Sequence, residues 1–243
     1  MIGRNAVREL LSGERDVNKI FVQSGEREGS ITMLIAMARE KKIPVNEVDR
    51  SRLDFMAGGA SHQGIIAIAA EHNYSSIDDM IALAESRGER PFVIICDGVE
   101  DPHNLGAIIR TADCCGAHGV IIPKRRAVGL TAVVSKSSAG AVEHVPVAQV
   151  TNLSMTVDEL KERGFWIYAA DMGGESYFDL DLSGSVALVM GSEGFGISRL
   201  VKEKCDFVVS IPLYGHVNSM NVSCATAVIS AEIARQRHGK GGE

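Results

Sequence analysis

Apolar and polar positions along the chain alternate in two periods, near two and near 3.6 residues, and each change of period marks an element boundary. Residues 5–12 read as a short helix, and Val17 to Val22 as a strand. Ile31, Leu34, Ile35 and Ala38 share one helical face in a segment that Ser30 can cap and that runs to about Lys42. Pro44 to Val48 reads as a second strand, Ser51 to Met56 as a short helix, and Gln63 to Ala69 as an apolar strand. Together these predict a small α/β unit. The polar, aperiodic stretch Glu71 to Ser76 ends it, and Ser76 caps a helix through Glu85. The chain is therefore divided into residues 1–72, a linker at 73–76 and a larger domain at 77–243.

From Phe92 onward strands and helices take turns. Strands are expected at Phe92 to Cys96, Gly119 to Ile122, Val145 to Ala148, Trp166 to Ala170, Ala187 to Met190 and Phe207 to Ile211. Helices are expected at Asn104 to Cys115, Thr131 to Val142, Val157 to Glu162 and Asn221 to Arg237, with a helix-like segment from Ser198. Such alternation implies the α/β class, a parallel sheet covered by helices. The last helix sets Val222, Thr226, Ile229 and Ile233 on one side.

Three strand ends carry unusual loops. Gly191-Ser192-Glu193-Gly194-Phe195-Gly196 follows one strand, and Pro212 through Asn221 follows another. Asp97 through Asn104 follows a third and leads into the helix holding Gly106 and Arg110. In open α/β sheets ligands bind at the carboxyl ends of strands. Each loop taken alone is equally a tight turn or a helix cap; three together favour a site. Gly106 and Arg110 are four apart on one helix face, so the glycine is expected to leave room beside the arginine. A cleft-lining guanidinium needs an anion, either Glu193 or a substrate phosphate.

Composition narrows the picture. With 45% hydrophobic and 23% charged residues over 243 positions, the chain can bury a core and is not a disordered segment. No apolar run approaches the ~20 residues that span a bilayer, and the first residues lack an apolar signal core, so a cytoplasmic protein is expected. The five cysteines show no C-x-x-C spacing; free thiols and no metal site are expected. A net charge of −6 disfavours a polyanionic partner unless positive charge is gathered locally. Arg4 with Arg8, Lys124-Arg125-Arg126, and Arg235, Arg237, His238 and Lys240 are the places where it could be.

Asn104-Leu105-Gly106-Ala107-Ile108-Ile109-Arg110, then Gly191-Ser192-Glu193-Gly194, then Ile211-Pro212-Leu213 through Ser219-Met220-Asn221-Val222-Ser223 resemble, in order and spacing, the motifs of the SpoU (TrmH-like) branch of the SPOUT RNA methyltransferases. The resemblance runs from about Pro91 to the last helix. The Gly3-Arg4-Asn5-Ala6-Val7 and Ser61-His62-Gln63-Gly64-Ile65 stretches are similar to the small RNA-binding domain of large-subunit rRNA guanosine 2'-O-methyltransferases. The resemblance implies a trefoil-knotted SPOUT sheet with helices on both faces, preceded by a ribosomal-protein-like α/β domain that binds RNA. It implies S-adenosyl-L-methionine as cofactor, held by Gly191, Ile211, Leu213 and Met220. It implies Asn104, Arg110, Glu193, Ser219 and Asn221 as the catalytic set, a homodimer, and an RNA partner, 23S rRNA or its precursor.

The reaction so implied is ribose 2'-O-methylation of a guanosine, which requires a sulfonium methyl donor and no metal. The family gives Arg110 a part in activating the 2'-hydroxyl, sometimes as base. A guanidinium with a pKa above ~12 suits that role poorly, and stabilising developing oxyanion charge or holding phosphate suits it better. Glu193 and Asn221 are expected to fix Arg110 and the cofactor loop. Two other readings of the same fold are a tRNA ribose methyltransferase and a non-catalytic RNA-binding ribosome-assembly factor. A dinucleotide enzyme is a third, but the glycine string is G-x-x-G-x-G, not G-x-G-x-x-G, and it comes late.

Overall fold

The computed structural model describes residues 1–13, 16–25, 29–70 and 72–239. Glu71 of the polar stretch Glu71 to Ser76 and Lys240 of the basic C-terminal run lie outside these. The chain separates into two compact units, one of residues 1–73 with 129–131 and one of residues 74–128 with 132–243.

The first unit holds α1 (Arg4–Ser12), β1 (Val17–Gln23), α2 (Gly29–Glu40), β2 (Val45–Val48), α3 (Arg50–Ala57) and β3 (Ile65–Ala69). Its sheet has the order β2-β1-β3, with β1 parallel to β2 and antiparallel to β3. The period-two alternation along β1 explains the layering. Ile20 and Val22 join Val7, Leu11, Leu34 and Ile35 in one core under α1 and α2. Phe21, on the opposite face, packs with Leu53, Ala57 and Ile66 under α3. Ser30 does not cap α2, which begins at Gly29; its hydroxyl instead accepts from Arg4 Nη1 at 3.0 Å. Gln63, in the left-handed region at φ 51°, accepts from Arg4 N through its Oε1 at 3.0 Å and from Arg4 Nε through its carbonyl at 3.1 Å. The two stretches singled out in this unit are thus one hydrogen-bonded corner.

The second unit begins with α4 (Ile77–Ser86), closed by a reciprocal capping box between Ser76 and Asp79. Then come β4 (Phe92–Asp97), α5 (Pro102–Cys114), β5 (Gly119–Pro123), α6 (Ala132–Ser137), β6 (Val147–Val150), α7 (Leu153–Glu162), β7 (Trp166–Ser176), β8 (Val186–Gly191), α8 (Arg199–Lys202), β9 (Phe207–Ser210) and α9 (Val222–His238). The six strands lie in the order β6-β5-β4-β8-β7-β9, every pair parallel. Helices cover both faces. Val93, Ile95, Ala187 and Val189 point into a core shared with Met80, Val157 and Leu160 of α4 and α7. Their neighbours Phe92, Ile94 and Leu188 alternate to the other face, and Leu105, Ile108, Ile229 and Ile233 of α5 and α9 are buried as well.

Two expectations fail for steric reasons. The helix predicted over Thr131 to Val142 stops at Ser137, because Ala139 and Gly140 both take positive φ, and only a short 3-10 turn follows at Ala141–Glu143. The space beside Gly106 is not open. A Cβ there would lie 1.9 Å from Ser137 Oγ and 2.9 Å from Val134 O, so this glycine exists to let α6 press against α5.

Candidate active site

Three loops meet at the carboxyl ends of β4, β8 and β9. Gly191 ends β8, and the loop after it folds back at once: Ser192 N donates to Gly196 O at 3.1 Å and Gly196 N to Ser192 O at 2.9 Å. A Cβ on Gly191 would stand 2.3 Å from Gly196 C, so only glycine permits this return. The closed loop holds Glu193 outward. Asp97, at the end of β4, accepts from Ser198 N at 2.7 Å and fastens the far end of the loop.

Glu193 is the centre of a three-residue network. Asn104 Nδ2 donates to Glu193 Oε1 at 3.2 Å, and Asn221 Nδ2 donates to the same oxygen and to Asn104 Oδ1 at 3.0 Å. Asn221 is fixed by a second role. Its Oδ1 caps α9, accepting from Ser223 N at 2.9 Å and Cys224 N at 3.3 Å, which turns the amide nitrogen toward Glu193. Asn104 is not the cap of α5; Asp101 is, accepting from His103 N at 3.0 Å, with Pro102 in the first turn. Freed of that duty, the Asn104 side chain reaches across 89 residues of sequence to Glu193.

Two cavities flank this network. The first, of about 370 Å³, is lined by Gly191, Ile211, Leu213, Ser219 and Met220 together with Glu193. Its floor is apolar, with Met190, Val222, Ala225 and Ile229. Among the described residues the backbone from Leu213 to Met220 makes no hydrogen bond, so its N–H and C=O groups remain available beside that floor. The second cavity, of about 500 Å³, is lined by Asn104 and Glu193 and by polar residues of the β4–α5 loop.

Arg110 stands apart. It is exposed on α5, and among the described residues it makes neither a hydrogen bond nor an ion pair. The expected Glu193–Arg110 contact is replaced by bonds from two asparagine amides. Ser219 lines the first cavity without a protein partner among the described residues.

The structure adds Asp171 and Met172, beyond β7's pairing with β8, to the first cavity. Burial pushes the Asp171 carboxyl up, but the Lys202 ammonium at 2.7 Å and the Met172 N–H outweigh it and leave the group below its ordinary range. The rule that singled out the loops after β4, β8 and β9 applies equally to the strand ending near Ala170, and would have found both. Of the C-terminal basic run, Arg235 forks onto Glu232 at 2.7 Å, and Arg237 is turned into the protein.

Residues 91–231 match the SpoU rRNA Methylase family, and residues 1–75 match RNA 2'-O ribose methyltransferase substrate binding. The chain belongs to the SpoU (TrmH) family of RNA methyltransferases. YacO of Bacillus subtilis, assigned to the TrmH family of tRNA/rRNA methyltransferases, is 46% identical over 239 residues, covering 98% of this chain and 96% of that one. Among solved structures, the TrmH/SpoU tRNA modifying enzyme of A. aeolicus is 30% identical with a TM-score of 0.57, over 68% of this methyltransferase and 85% of that chain. AviRb of Streptomyces viridochromogenes, whose structure is a complex with the cofactor AdoMet, is 23% identical with a TM-score of 0.63. The match covers 98% and 90% of the two chains, a likeness of fold.

Proposed function

We propose that this protein uses S-adenosyl-L-methionine to methylate the ribose 2'-hydroxyl of a guanosine in large-subunit (23S) rRNA, in the cytoplasm and as a homodimer. What carries the reading is the Asn104–Glu193–Asn221 network standing between an apolar cavity and a polar one. A protein that only bound RNA would have no use for that arrangement, and a dinucleotide enzyme would carry its glycine loop after the first strand.

The first cavity fits the cofactor. Its apolar floor suits an adenine, and the unpaired main chain from Leu213 to Met220 offers the donors and acceptors an adenine edge requires. Gly191, Ile211, Leu213 and Met220 would hold it. The cofactor supplies a methyl group on a positively charged sulfur. Glu193, whose Oε2 is left over by the asparagine amides, lines this cavity and is placed to favour positive charge there. Asn104 and Asn221 keep that carboxylate from rotating, and Ser219 is left to orient the ligand. Arg110 holds an RNA phosphate and stabilises negative charge as the hydroxyl gives up its proton. Residues 1–72 form the RNA-binding domain, joined by a linker at 73–76 to the catalytic domain at 77–243.

The test is methyl transfer from labelled S-adenosylmethionine to large-subunit rRNA and to tRNA, each taken from cells that lack this protein, with nuclease mapping of the product. Label as a 2'-O-methyl guanosine in rRNA is expected. Label in tRNA would move the substrate to the second reading, which the tRNA/rRNA naming of the relatives covers equally. Cofactor binding without transfer to either would leave a binding protein.

A further inference from the structure

The second cavity is the larger of the two, and its walls differ in kind from those of the first. Glu193 lines both, Asn104 lines only the second, and Ser219 and Met220 line only the first. In the proposed reaction, a reading on which the guanine contact below depends, a methyl group leaves the first cavity past Glu193. The accepting nucleotide therefore belongs in the second.

Four carboxylates line this second cavity, and three are committed to the protein. Asp97 accepts from Ser198 N, Asp101 from His103 N, and Glu193 from the two asparagine amides. Glu100 alone has no partner among the described residues. A carboxylate is an acceptor with two oxygens side by side. A base that fits it must show two adjacent donors on one edge. Guanine does so with N1–H and N2–H. Adenine and cytosine set a ring-nitrogen lone pair beside their amino group, and uracil flanks its single N–H with two carbonyls. Unpaired bases are read on this Watson–Crick edge.

We infer that Glu100 selects guanine, accepting from N1–H and N2–H of a target base lodged in the cavity between the β4–α5 loop and the Ser192–Gly196 loop. Phe195, 97% exposed and on the cavity wall, offers a face for the base to stack on. Arg126 is the cation among the lining residues and meets the nucleotide's phosphate.

The experiment uses the full-length protein and a synthetic RNA spanning the mapped nucleotide, carrying guanosine or inosine there. Inosine keeps N1–H and lacks N2–H. Wild type is expected to prefer guanosine by about 10-fold in kcat/KM, the worth of one hydrogen bond to a charged group. Glu100→Ala is expected to lose about 100-fold on guanosine and to treat the two RNAs alike, with Glu100→Asp recovering part of the preference. S-adenosylmethionine affinity, read by calorimetry, stays at the wild-type value because Glu100 does not line the first cavity. A wild-type preference that survives in Glu100→Ala overturns the inference and leaves the methyltransferase reading intact, as does mapping of the label to any base but guanine. Failure of wild type to methylate any RNA overturns both.

Discussion

The two ends of α9 show the same chemistry put to opposite uses. Asn221 at its start and Arg237 near its end both reach across to other elements through several hydrogen bonds. Arg237 donates to Arg90 O at 2.9 Å, Pro91 O at 3.1 Å and Gly184 O at 2.5 Å, and its guanidinium lies 5.3 Å from the Phe92 ring centroid. Burial pushes its pKa down to about 10, still well above neutrality, so it stays charged. Beside it, fully buried His118 accepts from Phe92 N at 3.0 Å and faces Glu89 at 2.9 Å. This end, under the amino ends of the strands, is closed and nearly satisfied. The other end, over their carboxyl ends, is exposed and has capacity to spare in Glu193 and Ser219. Polar groups that are fully paired hold a fold together; those left partly unpaired are available to a ligand.

The comparison predicts that substitutions at the two ends fail differently. Arg110→Ala, in the proposed catalytic set, should lower kcat by about 10²–10³-fold, the usual cost of losing a donor to developing charge, with no loss of thermal stability because the exposed side chain makes no hydrogen bond or ion pair among the described residues. Arg110→Lys should recover little, since a point charge does not replace a planar fork. A normal melting curve with lost turnover is the expected pair of results, and lost stability would mean that Arg110 is structural.

Arg237→Met should do the reverse. It strips three carbonyls of their donor and should destabilise by about 3 kcal/mol in urea melts, while the folded fraction keeps its kcat. Asn221→Asp comes next in size and divides the asparagine's two roles. Aspartate caps α9 as well as asparagine does, so stability should shift by less than about 0.5 kcal/mol. The lost amide and the second carboxylate beside Glu193 should lower kcat by about 30-fold, near 2 kcal/mol. Equal losses of stability in Asn221→Asp and Asn221→Ala would show that the cap is not what Asn221 contributes.

Much of this architecture was legible in the order of residues, because it rests on local rules. Ser76 announces the start of α4, and the apolar runs at 92–96 and 187–190 announce central strands. The loops after β4, β8 and β9 could be marked as a site because glycines and polar residues gather where strands end. What was not legible depends on who the neighbours are. Gly106 seemed to make space, but α6 fills it, and only the packing of two helices reveals that. Asn104 and Asp101 are both good caps, and which one does the capping decides which amide is free for Glu193. Arg235 and Arg237 read as a basic patch, although one is tied to Glu232 and the other is turned inward. Strand order, with β8 between β4 and β7, likewise comes from crossovers that no local pattern encodes.

The smallest predicted effect lies at the closed end and depends on pH. Since Phe92 N–H donates to His118 Nδ1, the proton sits on Nε2 and is given to Glu89; the ring is neutral and has no room for a second proton. Burial lowers the His118 pKa below the ordinary 6.5, against the pull of Glu89 and with the help of the nearby Arg237 and Arg87 charges. Between the folded and unfolded values the unfolded chain binds the proton and the folded chain does not. The stabilisation is therefore whole above about pH 6.5 and is lost as pH falls through the lower folded value. Wild type should melt lower at about pH 5.5 than at 7.5. His118→Gln, with nothing there to titrate, should melt lower at pH 7.5 but lose less on acidification. Because Glu193 and the cavities it lines lie at the opposite end of the sheet, turnover by the folded enzyme should not follow this titration. If kcat and melting temperature fell together with pH in wild type but in neither case in His118→Gln, the closed end would be coupled to the site, and the division between the two ends would not hold.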